Sequence, residues 1–209
     1  GFDLMVRLSD ARYMVIEGDE YFSSPLDLQP KFMHYHPHIL VITGIAWDHI
    51  NVFPTYGAYI TAFENLLRSL DENITVFAAE SDPELVRLCQ KHKYKAHIQF
   101  YRPVEYNVDE DGKFNAYFDN AVVPLHIIGK HNMENMSAAI HVARSIGSPD
   151  ECIVEGIRDF KGAARRLEVL LKTDKGIAYR DFAHAPSKVM ATTAAVKEQF
   201  PQHRLIAAL

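Results

Sequence analysis

At 209 residues with 48% hydrophobic side chains, the chain is long enough to bury a full core and too apolar to stay unfolded. A formal net charge of -5 gives no electrostatic ground for nucleic acid or an anionic membrane surface as a partner. Cys89 and Cys152 stand in no metal or redox spacing, no apolar run reaches membrane-spanning length, and nothing at the start reads as a signal peptide, so a reducing cytoplasmic setting is expected.

Residues 1 to 12 carry no clear strand or cap. Tyr13-Met14-Val15-Ile16 and His38-Ile39-Leu40-Val41-Ile42-Thr43 are short, almost continuous apolar runs, the pattern of parallel strands buried on both faces. Tyr59 to Leu70 repeats apolar residues at helical spacing, a strand follows over Ile74 to Ala78, and Asp82 opens a helix from Pro83 to His92. That alternation predicts an α/β fold with a mostly parallel, doubly wound sheet. From Ala96 to Ile128 short alternating segments around Asp109-Glu110-Asp111-Gly112 predict a small antiparallel element.

Helical spacing returns over Asn132 to Ile146, stops at Gly147 and restarts after Ser148-Pro149. Leu167 to Leu171 and Ile177 to Arg180 read as strands around the turn Thr173-Asp174-Lys175-Gly176, and Ser187 to Phe200 as a helix. Arg204-Leu205-Ile206-Ala207-Ala208-Leu209 reads as a buried strand just beginning. We place a domain boundary near Gly162, with residues 1–162 in one domain and 163–209 opening another, and expect the chain to be a piece of a longer protein.

The polar junctions carry the chemistry. Gly129 to Ala139 joins a strand to a helix whose first turn holds His131, Asn132 and Asn135, where free backbone amides and the helix dipole suit a phosphate or a base edge. A plain N-cap role for Asn132 is the competing explanation. The first two strands run into Glu17-Gly18-Asp19-Glu20 and Gly44-Ile45-Ala46-Trp47-Asp48-His49, and ligands of open parallel sheets bind at the carboxyl ends of strands. Carboxylates there suit Mg2+, although single acidic residues at strand ends more often cap helices or face water. His34, His36 and His38 alternate as in a strand, but Pro37 interrupts them and no Cys or Glu completes a transition-metal set.

Further on, Arg165 and Arg166 could clamp a phosphate, or pair with Glu168 or Asp159. Asp181 in Asp181-Phe182-Ala183-His184-Ala185-Pro186-Ser187 could accept from a ribose hydroxyl, and Ser187 could cap the helix.

Taken in order, these motifs resemble the Mur ligases, ATP-dependent amide-bond-forming enzymes of peptidoglycan assembly. Glu17 to Glu20 resembles the family's acidic Mg2+ segment, Asp48-His49 its metal site, Gly129 to Ala139 its adenine-contacting helix, Arg165 to Glu168 its interdomain arginine segment, and Asp181 to Pro186 its Asp-Tyr-x-His-x-Pro junction. Within the family, Glu17 to Pro25 and Gly44 to Pro54 look most like the branch that recycles murein peptides, and next like the branch that adds L-alanine.

The resemblance implies ATP and Mg2+ as cofactors, with UDP-N-acetylmuramate and the murein tripeptide L-alanyl-γ-D-glutamyl-meso-diaminopimelate as small-molecule substrates. It implies Mg2+ on Glu17 and His49, adenine near His131, Asn132 and Asn135, phosphate on Arg166 and ribose on Asp181; Glu17, His49 and Arg166 would be the catalytic groups. Phe182 replaces the usual Tyr, Ala185 stands where many members have His, and Thr61 to Glu64 lacks the modified Lys of other branches, as the UDP-N-acetylmuramate-binding branches do. No G-x-x-x-x-G-K-[ST] phosphate loop occurs in the sequence. In the family that loop precedes the acidic segment, so the chain is expected to hold part of the central domain and the start of a Rossmann-like C-terminal domain, and to be inactive alone. A nucleotide-binding module without chemistry and an ATP-independent metal hydrolase built on His49 are the competing classes.

Overall fold

Backbone pairing in the computed structural model, which describes residues 9–118 and 121–208, falls into two units, one reaching Tyr101 and one running from Arg102 onward. The boundary expected near Gly162 lies inside the second unit.

In the first unit a short hairpin, β1 (Phe22–Ser24) and β2 (Asp27–Pro30), leads through a 3-10 turn over Lys31–His34 into β3 (Ile39–Ile42). Then follow α1 (Tyr56–Ser69), β4 (Thr75–Ala79), α2 (Pro83–Lys91) and β5 (His97–Tyr101). β3, β4 and β5 form a parallel sheet in that order, with Leu40 opposite Val76 and Val76 opposite Ile98. The middle strand is the most apolar: Val76, Phe77, Ala78 and Ala79 are all buried, as expected of a strand covered on both faces.

Each helix starts for a visible reason. The Thr55 hydroxyl accepts from the Ala58 amide at 3.2 Å to open α1, and the Asp82 carboxylate caps α2 with Pro83 in the first turn. Tyr59, Phe63, Leu66 and Leu67 recur at the spacing that puts one helix face into the core. Phe32, Phe53, Tyr59 and Phe63 meet as a run of tilted and edge-on rings.

Two expected strands are absent. Tyr13 to Ile16 forms no ladder and is exposed, Val15 at 95%, and the run from Arg204 is likewise without strand as far as Ala208, with Ile206 exposed at 77%. Leu209 lies outside the described residues. Apolar, branched composition favours extended backbone, but a strand exists only where a neighbour completes its hydrogen-bond ladder, and no such ladder forms for either run among the described residues.

In the second unit β6 (Tyr106–Val108), β7 (Phe114–Phe118) and β8 (Ala121–Pro124) make the expected antiparallel sheet. The β6–β7 turn is organised by Asp109, whose carboxylate accepts from the amides of Asp111 and Lys113, with Gly112 at a φ of 77°. α3 (Lys130–Ser145) and α4 (Asp150–Asp159) complete a core around Phe114, Val123, Met133, Met136, Ile140 and Ile153. α3 stops at Gly147, whose φ of 82° and amide bond to the Arg144 carbonyl form the expected glycine C-terminus. β9 (Glu168–Thr173) and β10 (Gly176–Arg180) form an antiparallel hairpin, followed by α5 (Pro186–Gln199). α5 is held to the sheet by Gln199, which donates to the Gly112 carbonyl at 3.0 Å, and by Glu198, which accepts from the Tyr106 hydroxyl at 2.7 Å.

Candidate functional site

In the first unit the site lies where β3 ends and the chain turns toward α1. The loop from Gly44 to Pro54 closes on itself: the His49 carbonyl accepts from the Val52 and Phe53 amides at 2.8 and 2.9 Å, and the Trp47 indole donates to the Phe53 carbonyl at 3.1 Å. His49 itself takes a left-handed φ of 54°, stabilised by its amide donating to Asp48 Oδ1 at 2.8 Å. That strained turn directs the imidazole at the acidic segment. His49 Nε2 stands 3.6 Å from Glu20 Oε2, and the Tyr21 ring lies 4.5 Å from the His49 ring.

The acidic segment is sorted by its partners. Asp19 is paired with Lys31 at 2.7 Å; burial alone would raise its carboxyl, but the Lys31 ammonium and the Tyr21 amide outweigh that and hold it below the usual carboxylate value. Glu20 accepts from the Tyr59 hydroxyl at 3.2 Å, which leaves its other oxygen facing His49. Glu17 is exposed at the end of the extended run. The structure therefore brings Glu20 to His49, while the residue expected to share a metal with His49 lies three positions earlier.

Among the described residues no group of three or more His, Cys, Asp or Glu side chains converges on a common cation position. The pair Glu20 and His49 offers one oxygen and one nitrogen donor, a partial set of the kind that draws its remaining ligands from phosphate and water. Of the alternating histidines, His34 contacts Asp27 at 3.0 Å, a local partner within the same segment.

In the second unit the first turn of α3 meets α5. Gly129 precedes the helix with a φ of 89° and ψ of 148°, and a Cβ there would overlap the Ala195 side chain. Lys130, His131 and Glu134 of α3 and Ala191, Ala194 and Glu198 of α5 line a cavity of about 270 Å³. Burial lowers the His131 pKa, Asp181 and Glu134 pull it back up, and Arg166 adds to the lowering, so burial favours the neutral imidazole and all three charges lie within its field.

Asn132 and Asn135, expected on one ligand-facing side, are used differently. The Asn132 side chain donates to the Ile128 carbonyl at 2.8 Å, tying the helix to the preceding strand exit, and Asn135 is exposed. The helix N-cap is Gly129, so Asn132 is not the cap. The Arg166 guanidinium sits 5.6 Å over the Phe182 ring, and Glu168 is taken by Arg180 at 2.8 Å and by the Arg165 amide. Asp181 accepts from the Leu167 amide at 2.8 Å, the Ala183 amide at 2.7 Å and the Thr192 hydroxyl at 3.2 Å, so it fixes the hairpin exit onto α5 with both oxygens. Ala185 rather than Ser187 stands at the α5 N-cap, with Pro186 in the first turn.

The sequence pattern gave no separate signal for Tyr21 or Tyr59. A tyrosine at a buried helical position reads as core, and only an unmet need of its hydroxyl for a polar partner marks it as part of a site.

Comparison with known proteins places these features in a family. The model of the Mur ligase middle domain matches residues 4–143. The UDP-N-acetylmuramate--L-alanyl-γ-D-glutamyl-meso-2,6-diaminoheptandioate ligase of Haemophilus influenzae is 29% identical over 95% of this chain and 45% of its own length. The UDP-N-acetylmuramate--L-alanine ligase of Flavobacterium johnsoniae is 30% identical over 92% of this chain and 41% of its own. Among solved structures, the murein peptide ligase of Neisseria meningitides superposes with a TM-score of 0.60 at 26% identity, covering 71% of this chain and 48% of that one. The chain spans less than half the length of the curated relatives it matches. With a family model covering most of its residues, the chain belongs to the Mur ligase family.

Proposed function

We propose that this chain is part of an ATP-dependent carbon-nitrogen ligase that joins L-alanyl-γ-D-glutamyl-meso-diaminopimelate to UDP-N-acetylmuramate in peptidoglycan recycling. The observation that carries the reading is the 29% identity, over 95% of the chain, to a ligase named for that reaction. In this reading residues 1–162 belong to the central ATP-binding domain and residues 163–209 open the C-terminal domain. Solubility in the cytoplasm is part of the proposal; among the described residues no helix is long and apolar enough to cross a membrane.

When bound, ATP supplies the phosphoryl group that activates the lactyl carboxylate, and Mg2+ neutralises phosphate charge. The chain's own residues hold and orient. His49, fixed by its left-handed turn, and Glu17 would hold the cation, with Glu20 the acidic-segment residue nearest the imidazole. His131, which lines the cavity at the α3 entry, would offer the base a polar edge, with Asn132 and Asn135 following it in the same stretch of helix. Arg166 would supply positive charge for phosphate, and Asp181 would hold the ribose in exchange for the amide and hydroxyl donors it now accepts from.

The test is product mass from the complete gene product with ATP, Mg2+, UDP-N-acetylmuramate and either tripeptide or L-alanine. Amide formed only with tripeptide supports the proposal. The 30% identity to a UDP-N-acetylmuramate--L-alanine ligase makes product with L-alanine the second reading. Nucleotide binding without product would reduce the chain to a binding module, and turnover without ATP would make it a hydrolase.

A further inference from the structure

Trp47, the only tryptophan in the sequence, follows the carboxyl end of β3 and stands two residues before His49, with 41% of its surface exposed. Its indole N–H is committed within the loop, donating to the Phe53 carbonyl at 3.1 Å, and its ring lies 6.2 Å from the Tyr56 ring at a tilt of 39°. Phe53 is buried and meets Tyr59 edge-on at 5.2 Å, so the anchor of the indole belongs to the core. The side chain is thus held in place while much of it faces solvent. Tyr21, 40% exposed against the His49 ring, and Ile50, 64% exposed in the same loop, add apolar surface at this strand end.

We infer that Trp47 is a specificity-determining residue whose exposed ring takes the pyranose of UDP-N-acetylmuramate. An indole whose donor is already used recognises a ligand through its π face, which carries the negative side of the ring quadrupole and suits polarised C–H groups. A pyranose presents such groups on its ring faces. The inference rests on the ligase reading, in which the lactyl carboxylate is activated at this strand end. The pyranose is joined to that carboxylate through the lactyl ether, so it must lie close beside it. The tripeptide is the poorer occupant, because its carboxylates outnumber its ammonium groups and Glu20 and Asp48 stand 3.6 and 4.0 Å from the His49 ring nitrogens. An uncharged sugar ring meets no such repulsion, and a side chain fixed in advance loses little freedom on binding it.

The complete gene product is titrated calorimetrically with UDP-N-acetylmuramate and, separately, with UDP, as wild type, Trp47→Leu and Trp47→Phe, with thermal unfolding recorded for each. Both variants lose the indole tether to Phe53, and only Trp47→Phe keeps an aromatic face. Trp47→Leu is expected to weaken UDP-N-acetylmuramate binding about tenfold and Trp47→Phe by no more than about threefold, with the UDP affinity of both unchanged. In turnover, KM for UDP-N-acetylmuramate should rise in Trp47→Leu while KM for the tripeptide stays at the wild-type value. Equal weakening by the two variants would put the effect in the tether and overturn the inference, as would a loss that UDP shares. A rise in KM for the tripeptide alone would give the face to the peptide and likewise overturn it. If Trp47→Leu binds UDP-N-acetylmuramate as the wild type does, the sugar contact falls and the ligase reading stands. If the wild type itself binds no UDP-N-acetylmuramate, that reading fails and the inference fails with it.

Discussion

The Asp82 carboxylate joins the start of α2 to the loop that carries His49: its Oδ2 accepts from the Ile45 amide at 2.6 Å, while its Oδ1 accepts from the Glu84 and Leu85 amides at 3.0 and 3.1 Å. One side chain thus satisfies two orphan donors of a helix terminus and one donor of a fully buried residue, Ile45. Asp82→Ala removes both functions. Adding a lost cap to a buried unsatisfied amide gives an expected destabilisation of about 2–4 kcal/mol, measured by urea unfolding. Asp82→Ser retains a cap but is too short for both contacts, so its loss should fall between wild type and alanine.

Glu64 is the electrostatic hub between α1 and α2. Lys91 donates to it at 2.7 Å, Arg68 at 2.8 Å and the His92 ring nitrogen lies 2.9 Å away; the Lys91 bond first and the Arg68 bond second hold its pKa down at about 2, against an ordinary 4.5. A carboxylate with a depressed native pKa stabilises the fold fully above its unfolded value, and that stabilisation is lost as pH falls through the native one. The gap in urea midpoint between wild type and Glu64→Gln should therefore be constant above pH of about 5 and close between about 4.5 and 2. A gap that persists at the acid end would mean that Glu64 acts through packing rather than charge.

Gly129 holds a backbone conformation essentially reserved for glycine, with no room for a Cβ beside Ala195. Gly129→Ala should cost about 1–3 kcal/mol from the backbone alone, with a further loss as α5 is displaced from the α3 entry. Paired with Ala195→Gly, which opens the space, the variant should recover the steric part and not the backbone part. A double-mutant cycle in urea reads the difference.

Arg166 has its guanidinium over Phe182, and among the described residues no carboxylate pairs with it, Glu168 being bound by Arg180. In the ligase reading it is available for phosphate, so Arg166→Lys, which keeps the charge but loses the planar fork, should lower kcat/KM for ATP about tenfold, equivalent to about 1.4 kcal/mol. Near-normal kinetics with a lowered melting temperature would assign Arg166 to stacking on Phe182 instead.

Most elements of this chain were legible in its sequence because their signals are local. Thr55, Asp82 with Pro83, Gly147 and the Asp109 to Gly112 turn announce where helices and hairpins start or stop, and the apolar spacing of α1 follows from helical geometry alone. The motif order also sufficed to find the family. The 13–16 and 204–208 runs failed because strand formation depends on a neighbour that composition does not specify.

At the site, residue types and their clustering were set by sequence: an acidic segment, a histidine beyond a parallel strand, and a polar helix entry. Which groups meet was decided by tertiary structure. Glu20 rather than Glu17 stands against His49, with the hydroxyl of Tyr59 on its other oxygen, and Asn132 faces the Ile128 carbonyl because Gly129 sets the helix start. Sequence spacing encodes which residues share a local turn or helix face, whereas partners some 39 positions apart, as Tyr59 and Glu20 are, depend on how the packed core closes over them.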